Sequence, residues 1–119
     1  MDSVSFINAI DLTVVNAAVE DVISVLESPP GRKPEDGLAK MSGFYRRLNP
    51  EEKALVENLV KFSVEESTFG FLCVLDGVRA IENEPDKGEL VLTYKAGTST
   101  RINGSMDLHD IFNARCSNG

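Results

Sequence analysis

Ile7, Ile10, Val14, Ala18, Val22 and Leu26 recur at intervals of three and four residues, and this spacing constrains the chain more than any other feature. Such a stripe belongs to an amphipathic helix that buries one broad face. Val15, Val19 and Ile23 widen the stripe, while Asn16, Glu20, Ser24 and Glu27 take the other side. Valine is a weak helix former, so tertiary packing must supply most of this helix's stability. Pro29-Pro30-Gly31 ends it.

A connection over residues 28–37 carries three prolines, and Leu38, Met41, Phe44, Tyr45 and Leu48 then suggest a second, shorter helix. Gly37 and Gly43 would weaken that helix by roughly 1 kcal/mol each if they lie inside it. The next helix announces its own start. Asn49 is a cap residue, Pro50 suits the first helical position, and Glu51 and Glu52 fill the first turn. Proline leaves no amide unsatisfied there, and Glu52 can reach back to the cap amide as in a capping box. Val56, Leu59, Val60 and Val64 continue the apolar face.

Two readings compete for Phe69–Ile81. Asp76-Gly77 could turn a hairpin between Phe69–Leu75 and Val78–Ile81. Alternatively Phe69, Leu72, Cys73 and Leu75 line a buried helix capped by Ser67 or Thr68. The helix is preferred, because Val78-Arg79-Ala80-Ile81 does not alternate as a strand should. A polar loop follows over residues 82–88. Glu89 to Lys95 then alternates, with Leu90, Leu92 and Tyr94 on one side, as in a half-buried strand. Ala96-Gly97 turns the chain, Thr98 to Ile102 returns as the partner strand, and Leu108, Ile111 and Phe112 mark a short terminal helix.

The expected fold is therefore α+β and mainly helical: three to four helices packed on a C-terminal β-hairpin, with a short terminal helix. Residues 1–119 read as a single domain. The expected core comprises Ile10, Val15, Val19, Val22, Leu26, Val56, Leu59, Phe69, Leu72, Leu90, Leu92 and Phe112.

Charge narrows the function. The formal net charge is −7. An acidic chain repels phosphate backbones and anionic membranes, so neither nucleic acid nor membrane is an expected partner, whereas a basic protein is. The charge is uneven: residues 28–53 hold six bases against four acids, between segments that each carry −5. No apolar run approaches the roughly 20 residues of a membrane-spanning helix, and Met1-Asp2-Ser3 lacks the basic start of a signal peptide, so a cytoplasmic location is expected.

Motifs that carry chemistry are scarce. Cys73 and Cys116 do not make a disulfide framework, and with one histidine they lack the paired spacing of a zinc site. Cys73 sits in an apolar run and reads as a small buried hydrophobe. Glu82, Glu84, Asp86, Gly88 and Glu89 imitate a calcium loop, but the glycine falls one place late and Pro85 intrudes. Asn103-Gly104-Ser105 reads as a turn. No catalytic residue, cofactor or metal site is expected. His109, beside Asp110, could serve as a base or simply touch solvent or a helix cap. With Tyr45 and Arg46 it supplies the candidate small-molecule ligand set.

Residues 68–113 resemble small uncharacterised bacterial proteins, some of them immunity proteins that bind and neutralise a toxin. The likeness lies in Phe69–Ile81, Glu89–Tyr94 and Leu108–Asn113, and the N-terminal half adds nothing to it. It implies an inhibitor and brings no active-site residues. The leading expectation is a non-enzymatic protein-binding module, an immunity or antitoxin type of inhibitor, with Glu82, Glu84, Asp86 and Glu89 facing a basic partner. The alternatives are a homodimeric structural or regulatory protein, and a small-molecule-binding protein or minor enzyme.

Overall fold

A computed structural model describes residues 1–117. Helical segments α1 (Ser3–Ile10) and α2 (Ala17–Glu27) are joined by a π-helical segment, Asp11–Asn16, and are followed by α3 (Asp36–Arg46) and α4 (Pro50–Leu75). Strands β1 (Thr93–Ala96) and β2 (Thr98–Arg101) form an antiparallel hairpin, and α5 (Leu108–Ser117) completes the described chain. The α+β, mainly helical architecture is the one the sequence patterns predict. None of the described helices is long and apolar enough to cross a membrane.

Two compact units are present. One comprises Met1–Thr13 with the chain from Glu66 onward, and the other Val14–Glu65. Both boundaries fall inside helical segments, one in the π segment and one in α4.

The Val14–Glu65 unit packs α2 against α3. Val15, Leu26 and Tyr45 are its buried apolar residues. Ser42, also buried, donates its hydroxyl to the Leu26 carbonyl at 2.6 Å, which satisfies a C-terminal carbonyl of α2. The Tyr45 hydroxyl donates to Glu57 Oε1 at 3.1 Å, and the Lys53 ammonium lies 5.2 Å from the Tyr45 ring centroid. Gly37 and Gly43 do lie inside α3, and Glu35 caps that helix by accepting from the Gly37 amide at 3.0 Å. The capping box of α4 forms as expected: the Glu52 amide donates to Asn49 Oδ1 at 2.8 Å, and the Asn49 amide to Glu52 Oε1 at 3.0 Å.

In the other unit, α1 packs against α5. Its buried apolar side chains are Ile7, Leu72, Cys73, Ile102, Leu108 and Phe112, and the buried Ser3 donates its hydroxyl to the Ile102 carbonyl. Arg115 ties α5 to Asp11 at 2.7 Å and stacks over Phe112.

Several expectations need correction. The first helix is not one uninterrupted α-helix. Thr13, Val14 and Val15 are β-branched, and Thr13 bonds back to the Ala9 carbonyl at 2.7 Å, an interaction that opens and bends helices. The wider π turn displaces the stripe around the helix. Val14 and Val22 are exposed, whereas Ile7, Val15 and Leu26 are buried. Phe69–Leu75 is helical, but as the last turns of α4 rather than a separate helix capped at Ser67 or Thr68. The half-buried strand Glu89–Lys95 is only partly formed. Residues 89–92 are not strand, and Leu90 and Tyr94 are exposed. The backbone there bonds to the Asn103 side chain instead of to a neighbouring strand. Leu59 is also exposed, while Val15, Leu26, Leu72 and Phe112 are buried as expected.

Candidate functional site

The site grows from the way α4 ends. Gly77 has φ +77°, a conformation glycine adopts without strain. Its amide donates to the Val74 carbonyl at 3.1 Å, and the Val78 amide to the Cys73 carbonyl at 3.0 Å. Together these bonds form a Schellman motif, with Asp76 as the cap residue. A carboxylate at a helix C-terminus faces the negative end of that helix's dipole. Here it is offset by a second helix terminus, because Asp76 Oδ2 accepts from the backbone amide of His109 in the first turn of α5 at 2.8 Å.

The same oxygen lies 2.6 Å from His109 Nδ1. The Asp76 side chain is 1 % exposed and the His109 side chain 15 %. On the far side of the imidazole, Nε2 lies 3.4 Å from Asp110 Oδ1. Phe69 meets the ring edge-on, with centroids 5.8 Å apart. The second oxygen of Asp76, Oδ1, is buried with no hydrogen-bond partner. Asp107 contributes a third polar group: its carboxylate, one Asp76 oxygen and one His109 ring nitrogen all lie within 4.8 Å of one another. Residues 31 and 2 positions apart carry no motif spacing, so a reading by spacing misses this cluster. The fold creates it by turning α4 and starting α5 at the same point.

Asp76 and Asp107 also line a groove of about 550 Å³, walled by the strap that follows α4 and by Arg101 and Asn103. Asn103 fixes both ends of the strap. Its buried amide donates to the carbonyls of Leu75 and Leu90 at 2.6 and 2.9 Å, and its oxygen accepts from the Leu92 amide at 2.8 Å. From Gly77 to Val91 every residue of the strap is exposed. Glu89 pairs with Arg101, and Glu82 accepts from the Gly88 amide at 3.4 Å. Glu84 and Asp86 make no ion pair among the described residues and face solvent. The four carboxylates singled out from the sequence thus share one exposed segment, two of them engaged within the unit and two open.

The proposed ligand set Tyr45, Arg46 and His109 is distributed differently. Tyr45 and Arg46 belong to the Val14–Glu65 unit and His109 to the other. Tyr45 is buried with its hydroxyl bonded to Glu57, and Arg46 is exposed. Burial pushes the Cys73 thiol up from its ordinary value, which keeps it protonated and unreactive. Comparison with protein-family models, curated proteins and solved structures finds no match for this chain.

Proposed function

We propose that the chain is a non-enzymatic protein-binding module, an immunity or antitoxin type of inhibitor, and that a basic partner protein docks on the strap. The observation that carries this reading is the strap itself. Residues 76–92 lack regular secondary structure, a stretch longer than the roughly 12–15 residues beyond which such loops are uncommon and usually functional or disordered. Asn103 holds this one at both ends. It presents Val78, Ile81, Leu90 and Val91 as exposed apolar contacts around the open carboxylates of Glu84 and Asp86. Apolar anchors with a charged rim suit a protein interface, and the rim charge selects a basic partner. The unit that bears the strap supports this selection, with ten carboxylates against five basic side chains. An unbridged, buried Cys73 fits a reducing, cytoplasmic compartment.

Capture by the tagged protein from its own cell lysate at low salt tests the reading. A basic protein recovered in stoichiometric amount and released by salt is expected. Recovery of the bait alone would contradict it.

One observation favours a second reading, a homodimeric structural or regulatory protein. Leu55, Leu59 and Phe62 lie at i, i+4 and i+7 of α4 and are 68, 63 and 62 % exposed. That spacing puts them on one helix face, an apolar stripe of the kind that self-association covers.

A further inference from the structure

We propose that Asp76, Asp107 and His109 bind a borderline divalent cation of the Zn²⁺ type. Three observations converge. One ligand atom from each residue lies within 4.8 Å of the other two, which suits donors gathered around a single ion. Asp76 Oδ1 is buried and unpartnered, a costly arrangement for a carboxylate oxygen unless something cationic meets it. Asp110 faces His109 Nε2 on the side away from the cluster. A carboxylate beside the ring nitrogen opposite the ligating one is an outer partner of the sort that metal-binding histidines have.

The donor set selects the class of ion. Mg²⁺ and Ca²⁺ prefer all-oxygen shells of six or more ligands, whereas an imidazole with two carboxylates suits Zn²⁺ and its neighbours. Asp76 Oδ1, the oxygen left without a partner, is the one that meets the ion. Water completes the coordination from the groove. Asp76 Oδ2 continues to cap α5, so the ion requires no rearrangement of the two helix ends.

The single histidine of the chain makes the test direct. Zn²⁺ is titrated into the full-length protein while the His109 imidazole is followed by ¹H–¹⁵N NMR, and Mg²⁺ is titrated in parallel. One Zn²⁺ per chain is expected, with a large shift at Nδ1 and none from Mg²⁺. Asp107 is exposed, so Asp107→Asn should leave the melting temperature of the metal-free protein unchanged and weaken Zn²⁺ binding by roughly tenfold or more. Zn²⁺ binding that leaves the His109 signals unmoved, an equal response to Mg²⁺, or unchanged affinity in Asp107→Asn would each overturn the proposal. So would the absence of Zn²⁺ binding.

Discussion

Asp76 Oδ2 accepts the backbone amide of His109 and lies 2.6 Å from the same residue's Nδ1, so one carboxylate oxygen joins the end of α4 to the start of α5. The consequence is testable by substitution. Asp76→Ala removes the acceptor that caps α5 and should cost about 2 kcal/mol. Asp76→Asn keeps an oxygen that can cap and should cost less. Urea denaturation midpoints give the order, and a larger loss in Asp76→Asn would contradict the capping role.

Asn103 satisfies three backbone groups with one buried side chain. Asn103→Leu is close in size but leaves two carbonyls and an amide without partners. The expected loss is about 3 kcal/mol, with amides of residues 88–92 exchanging faster with solvent than those of α3. Uniform exchange throughout the chain would show that Asn103 does not hold the strap.

Burial, and then the Glu57 carboxylate that accepts its hydroxyl, push the Tyr45 phenol from 10.0 up to about 12. Below pH 10 both the folded and unfolded chains carry the phenolic proton, and the contribution to stability is complete. Between pH 10 and about 12 the unfolded chain releases its proton first, so stability falls as pH rises. Tyr45→Phe, which has no such proton, should lose less stability than wild type over that window in denaturant titrations. Parallel pH profiles would contradict this.

If the α4 stripe mediates self-association, Leu59→Glu should abolish it without unfolding the protomer, since Leu59 is already exposed. Sedimentation over a range of concentrations reads the result. A wild-type mass that stays monomeric throughout would remove the homodimer reading.

How much of this was legible in the sequence depends on how local each signal is. The Asn49–Glu52 capping box was readable because donor and acceptor lie three residues apart. Gly97, with φ +75°, turns the hairpin where Ala96-Gly97 pointed, with Ala96 paired to Thr98. The carboxylates of the strap were readable as a cluster because they are close in sequence. Val22 and Leu90 failed because a period shows which residues share a face, not whether anything covers it. The π segment interrupts the first stripe, and Asn103 stands in for a strand partner beside Leu90. The Asp76–Asp107–His109 cluster was invisible for a different reason. It exists only because Gly77 ends α4 where α5 begins, and neither the turn nor its neighbour is encoded in a spacing.

The central claim is that the strap is a docking surface for a basic protein. The most direct measurement compares the affinity of the captured partner for wild type and for the double variant Glu84→Gln, Asp86→Asn over a range of salt concentrations. Both side chains face solvent, so the fold should be unaffected. The account predicts a loss of about tenfold at low salt and a shallower dependence on salt in the variant. Equal affinities and equal salt dependence would contradict it.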